Sequence, residues 1–194
     1  MALRAKSADS RQRPARAQSS ASVRAYAGVS ACAAIAAHAE TPAYARTLAE
    51  LCARAGRWRE SADFARKAIA HDASLPEPHV AAARAALELG DFEAAAEHCL
   101  DATERSMAIP EAHYLLGAAL AWGGELGHAA QSLDIALRFS PSHRDALAFA
   151  AAIARVQDRA DAAADLEARL AESAPDPHAA PSTRTASDWL ASRR

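Results

Sequence analysis

Apolar side chains recur along this chain at helical spacing, in paired blocks of about 14 residues separated by short polar turns. The pattern is fullest from Pro110 to His143. There Leu116 and Leu120 belong to one block and Leu126, Leu133 and Leu137 to the next, with Gly123-Gly124 between them. The block pair repeats. Gly56, Gly90 and Gly124 stand 34 residues apart, each where a first helix would end. The same interval joins Trp58, Phe92 and Leu126, the alanines Ala68, Ala102 and Ala136, and the series Ser61, Ala95, Ala129 and Ala163. Pro76 pairs with Pro110 and His79 with His113, while Glu77, Glu111 and Asp145 align as acids. Such a period predicts stacked helix hairpins, because one pair of helices leaves an apolar flank that only the next pair can cover.

Local signals agree with the period. Pro42, Pro76 and Pro110 each sit where a helix begins, a position at which the missing N–H costs nothing. Glu77 and Glu111 follow at once, where the helix dipole favours negative charge. Two helices of this length are near 20 Å long and must cross closely to hide their apolar faces. Gly117, Ala118 and Ala129 are small enough to bring the two backbones of the third pair together. Three units are expected at 42–75, 76–109 and 110–143, and a fourth at 144–177. The last is degenerate, with Asp158 in the glycine position and Pro175 at the close, and its second helix spreads charge around its surface as a terminal cap would.

In residues 113–141, His113, Leu116-Gly117, Leu120, Ala129, Leu133, Ala136 and Pro141 reproduce a known consensus, and here the chain resembles the tetratricopeptide repeat. The other units match less fully: Ala82-Ala83 replaces Leu-Gly and Cys99 takes the bulky position in the second, while Leu48-Ala49, Cys52, Trp58, Ala65 and Ala68 carry the first. The fold this implies is all-α, a right-handed α-solenoid of helix-turn-helix repeats. About function it says little, since one scaffold serves many tasks.

Composition and charge add to this picture at the ends. The chain is alanine-rich with few aromatic residues, which favours helix over sheet. Cys32, Cys52 and Cys99 are odd in number and scattered, so no disulfide framework is implied and a reducing compartment, the cytoplasm, is the simpler reading. Residues 1–24 hold six basic groups and one acid, a balance of +5, whereas the remainder carries −7. Residues 1–22 are expected to be a disordered basic arm. A solvated tail, an organelle transit segment and a nucleic-acid arm are its three readings, the last disfavoured because aromatic residues are not interleaved. Residues 23–40 are expected to form a packing helix. Two export readings compete there, a signal-peptidase site at Ala37-His38-Ala39 and a lipoprotein pattern at Val29-Ser30-Ala31-Cys32. No stretch is long and apolar enough to span a bilayer. Residues 178–194 read as a linker and a short C-terminal helix capped by Ser187. Its Trp189 and Leu190 either cover the last repeat or dock on a partner.

Catalytic motifs are missing: no GK[ST] phosphate loop, no G-x-S-x-G elbow, no H-E-x-x-H. Of eight histidines no two stand four apart, so neither a metal site nor a cofactor is expected, and His79 and His113 read as packing residues in one recurring slot. A binding surface remains. The resemblance implies that the first helices line a concave groove, placing Arg46, Thr47, Glu50 and Arg54, then Glu77, Val80, Ala81, Arg84 and Glu88, then Glu111, Tyr114, Leu115, Ala118 and Trp122, then Asp145, Phe149 and Ala152 along it. Family members that grip an acidic chaperone C-terminus use lysine, asparagine and arginine at these places. This chain has Glu50, Ala81, Glu111 and Leu115 instead. An apolar centre of Tyr114, Leu115, Trp122 and Phe149, rimmed by Glu77, Glu88 and Glu111, suits a protein or peptide partner with apolar anchors and basic flanks. The expected role is a non-catalytic scaffold. A bacterial secretion or pilus-assembly factor and the detached tail of a hydrolase are its alternatives, and self-association stays open. The charge split adds one more expectation, that the basic arm lies across its own acidic groove.

Overall fold

The computed structural model describes residues 42–174 and 182–193. The basic arm, the helix expected over 23–40, Cys32 and the Ala37–Ala39 site all lie outside the described residues.

Within them, nine helices follow one another: α1 (Pro42–Arg54), α2 (Trp58–His71), α3 (Pro76–Leu89), α4 (Phe92–Arg105), α5 (Pro110–Gly123), α6 (Leu126–Phe139), α7 (Arg144–Val156), α8 (Ala160–Glu172) and α9 (Ala186–Ala191). Each odd-numbered helix up to α7 packs against the even-numbered helix that follows it. The hairpin turns share one hydrogen-bond scheme. Gly56, Gly90 and Gly124 adopt φ values of 72°, 86° and 94°, the left-handed region that closes a helix without strain only for glycine. Around them the backbone N–H groups of Arg57, Asp91 and Glu125 reach back to the carbonyls of Cys52, Ala86 and Leu120. In the fourth unit Asp158 takes the same place at φ 56°, and the Arg159 N–H bonds to the Ala154 carbonyl in the same way.

The crossings are close because the residues at them are small. A side chain on Gly117 would put its Cβ 2.6 Å from Leu133 Cγ and 3.1 Å from the Ala129 carbonyl oxygen. Ala118, Ala129, Ala95 and Ala65 are fully buried at equivalent crossings. Helix starts vary more than their ends. Pro76 and Pro110 open α3 and α5 without a side-chain cap, whereas Asp91 accepts the Ala94 N–H at the start of α4. At α7 the cap is His143, whose Nδ1 accepts from the Ala146 N–H at 3.3 Å. The last helix corrects the expected serine cap: Thr185 receives the Asp188 N–H, and the Asp188 carboxylate returns to the Thr185 N–H, so α9 begins one residue before Ser187.

Successive first helices touch one another, α1 with α3, α3 with α5 and α5 with α7, while the second helices make no comparable contact with each other among the described residues. The first helices therefore gather on the inside of the curve and the second helices fan out behind them. The main core runs through the second, third and fourth hairpins, from Ala83 and Leu87 through Leu115, Leu133, Leu147 and Ile153 to Trp189. The first hairpin joins it through two smaller clusters, Leu48 with Cys52 and Ala49 with Ala65 and Ala82. On α8 only Ala163 is buried, which leaves an outer face fit for solvent.

Candidate functional site

Two regions divide the concave side. The first is an open trough of about 540 Å³ lined by Glu50 and Arg54 of α1, Glu77, Val80 and Arg84 of α3, Glu111 of α5, and His143, Arg144 and Asp145 at the start of α7. Helix geometry explains the set. Residues three and four apart on α3 share a face, so Glu77, Val80, Ala81 and Arg84 point together, and Glu111 and Asp145 repeat the Glu77 position one and two units on.

The charges in this trough are not equivalent. Glu111 accepts hydrogen bonds from Arg84 of the preceding unit and from Nε2 of His143, the last residue before the following one, the latter at 3.1 Å. Burial alone would raise the Glu111 carboxyl, but the hydrogen bond from His143 and the Arg84 charge outweigh it and hold the group below the usual carboxylate range. Burial likewise pulls His143 down, and the Glu111 hydrogen bond and charge reverse that, leaving the imidazole above its ordinary value. Arg144 turns away to the carbonyls of Leu170 and Ser173 at the end of α8. Among the described residues this leaves the trough acids Glu50, Glu77 and Asp145 exposed and without an ion-pair partner.

The second region is filled by the chain itself. Glu88, near the end of α3, accepts hydrogen bonds from the hydroxyl of Ser182 and from the backbone N–H and hydroxyl of Thr183, the last two at 2.9 and 2.7 Å. Arg184 lies over the stacked rings of Phe92 and Trp122, its guanidinium 5.6 and 5.2 Å from their centroids. Trp189 is 1% exposed, packs on Phe149 and donates its indole N–H to the Ala121 carbonyl at 2.8 Å. Residues 182–193 thus run along the inner side past three first helices, α3, α5 and α7.

The residues expected along the groove are accordingly divided. Glu50, Glu77, Val80, Arg84 and Glu111 line the open trough. Arg46 is exposed on α1 outside its lining. Tyr114, Leu115 and Phe149, expected as an open apolar centre, are 5%, 1% and 1% exposed, and Trp122 is half-buried under Arg184. Trp189 of α9 covers Phe149 and Arg184 covers Trp122, while Tyr114 packs between Phe149 and His143. Nothing in the local sequence announces the Glu88 partners, which lie 94 and 95 positions further on. Trp189 was legible as a covering residue, though its reach back to α5 was not. The role of His143 could have been read from its place just before Arg144, where a side chain caps a helix.

The recurring histidines behave alike at one nitrogen. His79 and His113 are buried, and each directs Nε2 to the carbonyl six residues before it, Ala73 at 3.4 Å and Met107 at 2.9 Å. Cys52 and Cys99 are buried, and burial pushes the Cys99 thiol far above its usual range. No helix among the described residues is long and apolar enough to cross a membrane.

No protein-family model matches the sequence, and no curated protein does at a significant level. Solved structures do match. One is a crystal structure of MamA, with a TM-score of 0.64 and 15% identity over 81% of this chain and 91% of that one. A second is YrrB, a TPR protein with an unusual peptide-binding site, with a TM-score of 0.58 and 18% identity over 71% of each chain. A third is the first TPR of Spaghetti (RPAP3) bound to the HSP90 peptide SRMEEVD, with a TM-score of 0.58 and 19% identity over 62% of this chain and 98% of that one. Helices packed in successive pairs, left-handed turns every 34 residues and these neighbours lead to one fold: the chain is an all-α solenoid of tetratricopeptide type.

Proposed function

We propose that this protein is a non-catalytic scaffold that holds a partner polypeptide in the open trough between α1 and the start of α7. The observation that carries the reading is that the neighbouring stretch of the same concave side is already occupied by polypeptide. Residues 182–193 are held there by a buried aromatic anchor, by a carboxylate accepting a backbone N–H and by a guanidinium over stacked rings. These are the contacts by which one chain recognises another. Two of the similar structures, YrrB and the RPAP3 domain, are peptide binders by their own description.

The chemistry of the trough selects the ligand. Arg84 is engaged with Glu111, and Arg144 with the end of α8, so the acidic side chains left to meet a ligand are Glu50, Glu77 and Asp145. Val80, Ala81 and Ile109 supply an apolar floor between them. A segment with an apolar residue flanked by lysine or arginine fits this arrangement. The test is selection of a random peptide library on the immobilised full chain. Enrichment of such segments, lost in Glu77→Lys and Val80→Asp variants of unchanged helicity, is the expected outcome. Absence of enrichment, or enrichment indifferent to both substitutions, would sink the proposal.

A further inference from the structure

On the outer side of the second unit, away from the trough, His79 of α3 meets His98 and Asp101 of α4. One ring nitrogen of each histidine and a carboxylate oxygen of Asp101 all lie within 4.8 Å of one another. The site is assembled by three separate features. His98 and Asp101 stand three apart on α4 and therefore share a face. His79 is carried against them by the crossing of the two helices. Its ring is 97% removed from solvent, and its orientation is fixed because Nε2 can only donate to the Ala73 carbonyl. In the neutral ring this leaves the lone pair on Nδ1, aimed at Asp101.

Hydrogen bonding within the protein does not account for these atoms. His79 Nδ1 and His98 Nδ1 are both buried and without a hydrogen-bond partner. Buried polar atoms are ordinarily paired, so the unpaired Nδ1 of His79, facing the Asp101 carboxylate beside the His98 ring, points to a further occupant. The distance between His79 Nδ1 and Asp101 Oδ2 is 3.5 Å. Ligand atoms about 2.1 Å from a tetrahedral ion are about 3.4 Å apart, so this edge already has the length a metal requires. The other Asp101 oxygen receives Arg105 at 3.3 Å, and Arg105 also donates to the Ala73 and Asp101 carbonyls. That contact orients the carboxylate from behind, as outer partners of metal ligands do, while its positive charge weakens the site.

Comparison between the units separates the slot from the site. His113 occupies the His79 position of the third unit with the same bond from Nε2, but Ser132 and Ile135 stand where His98 and Asp101 would be, and its ring stacks on Phe139. In the first unit the three places hold Ala45, Phe64 and Lys67. The histidine alone is explained by the fold; the three together belong to one unit only.

We infer that His79, His98 and Asp101 form a site for a divalent transition metal of the zinc class, with three protein ligands and one open coordination position. Two imidazoles and a carboxylate are the donor set such ions prefer, and calcium or magnesium would require more oxygen. A bound ion joins α3 to α4 and, through the Ala73 carbonyl shared by His79 and Arg105, steadies the turn between the first two hairpins.

Titration of the full chain with Zn²⁺ in a calorimeter tests this, with Co²⁺ as the spectroscopic probe. One saturable equivalent per chain is expected, together with a visible Co²⁺ absorption of four-coordinate strength. At hundredfold excess over Kd the Tm should rise by about 5–10 °C. His98→Gln and Asp101→Asn, both at partly exposed positions, are each expected to weaken binding by at least about tenfold while helicity and metal-free Tm stay at the wild-type level. His128→Ala, at an exposed histidine elsewhere, should bind as wild type does. No saturable binding, or binding that survives both ligand substitutions or is abolished by His128→Ala, overturns the assignment.

Discussion

Asp158 holds, at φ 56°, a turn position that glycine fills in the three preceding units. Asp tolerates this conformation better than most residues, yet glycine avoids the remaining strain, so Asp158→Gly should stabilise the protein by about 0.5 kcal/mol despite its cost in unfolded-chain entropy. Denaturant unfolding would register the gain as a higher midpoint. Gly117→Ala should act in the opposite direction for a different reason. Its backbone is helical, but the added methyl would meet Leu133 and the Ala129 carbonyl, and overpacking of this kind costs about 1–3 kcal/mol. The turn position was readable from the period, and Gly117 from the need for small residues where two helices cross. The pair Glu111 and His143 was not, because it is formed between the start of one unit and the end of the turn before the next, 32 residues away. Its consequence is a pH dependence with two edges. The depressed Glu111 carboxyl contributes stability above the normal carboxylate range, lost as pH falls through its folded value. The raised His143 contributes below about 6.5, its unfolded value, and that part is lost as pH rises through the folded one. The stability difference between wild type and His143→Gln, measured across pH 5 to 8, should therefore shrink towards the alkaline end.

At the scale of elements, the hairpins follow directly from proline starts, glycine ends and small residues at crossings, and for that reason their sequence pattern was legible. The short helix α9 was legible as a helix but not as an occupant of the concave side. The anchors of α9 and of the residues 182–185 that lead into it are distributed over Glu88, Phe92, Ala121, Trp122 and Phe149, residues of several helices whose convergence only the stacking creates. Trp189 is the one large side chain that α9 buries fully. Trp189→Ala should destabilise the protein by about 3–5 kcal/mol, through the packing lost against Phe149, and should make Phe149 and its neighbour Tyr114 more accessible. Urea unfolding checks the first effect and tyrosine fluorescence quenching the second.

Across the whole molecule the apolar core is uneven. It is continuous from α3 to α9 but reaches α1 and α2 only through small clusters centred on Leu48, Cys52 and Ala65. In a stacked array stability is a sum of units and their nearest-neighbour contacts, so the first hairpin should open first. Amide exchange is expected to be faster in α1 and α2 than in α5, α6 and α7, and uniform protection across the array would contradict this. The period made the architecture legible because every unit repeats it. The concave side was legible only in its first half, where Glu50, Glu77 and Val80 obey the shared register. The histidine and aspartate cluster escaped the sequence because its members sit on two helices, at a separation no local spacing encodes.

The segment from Ser182 to Trp189 touches three consecutive first helices and is fastened at each. A superhelix of stacked hairpins is otherwise a spring, free to lengthen or tighten as neighbouring pairs rotate. A strap fixed at three coils removes that compliance from the last three units and leaves the first hairpin to flex, so whatever adjustment of pitch the trough makes around a ligand must come from its α1 wall.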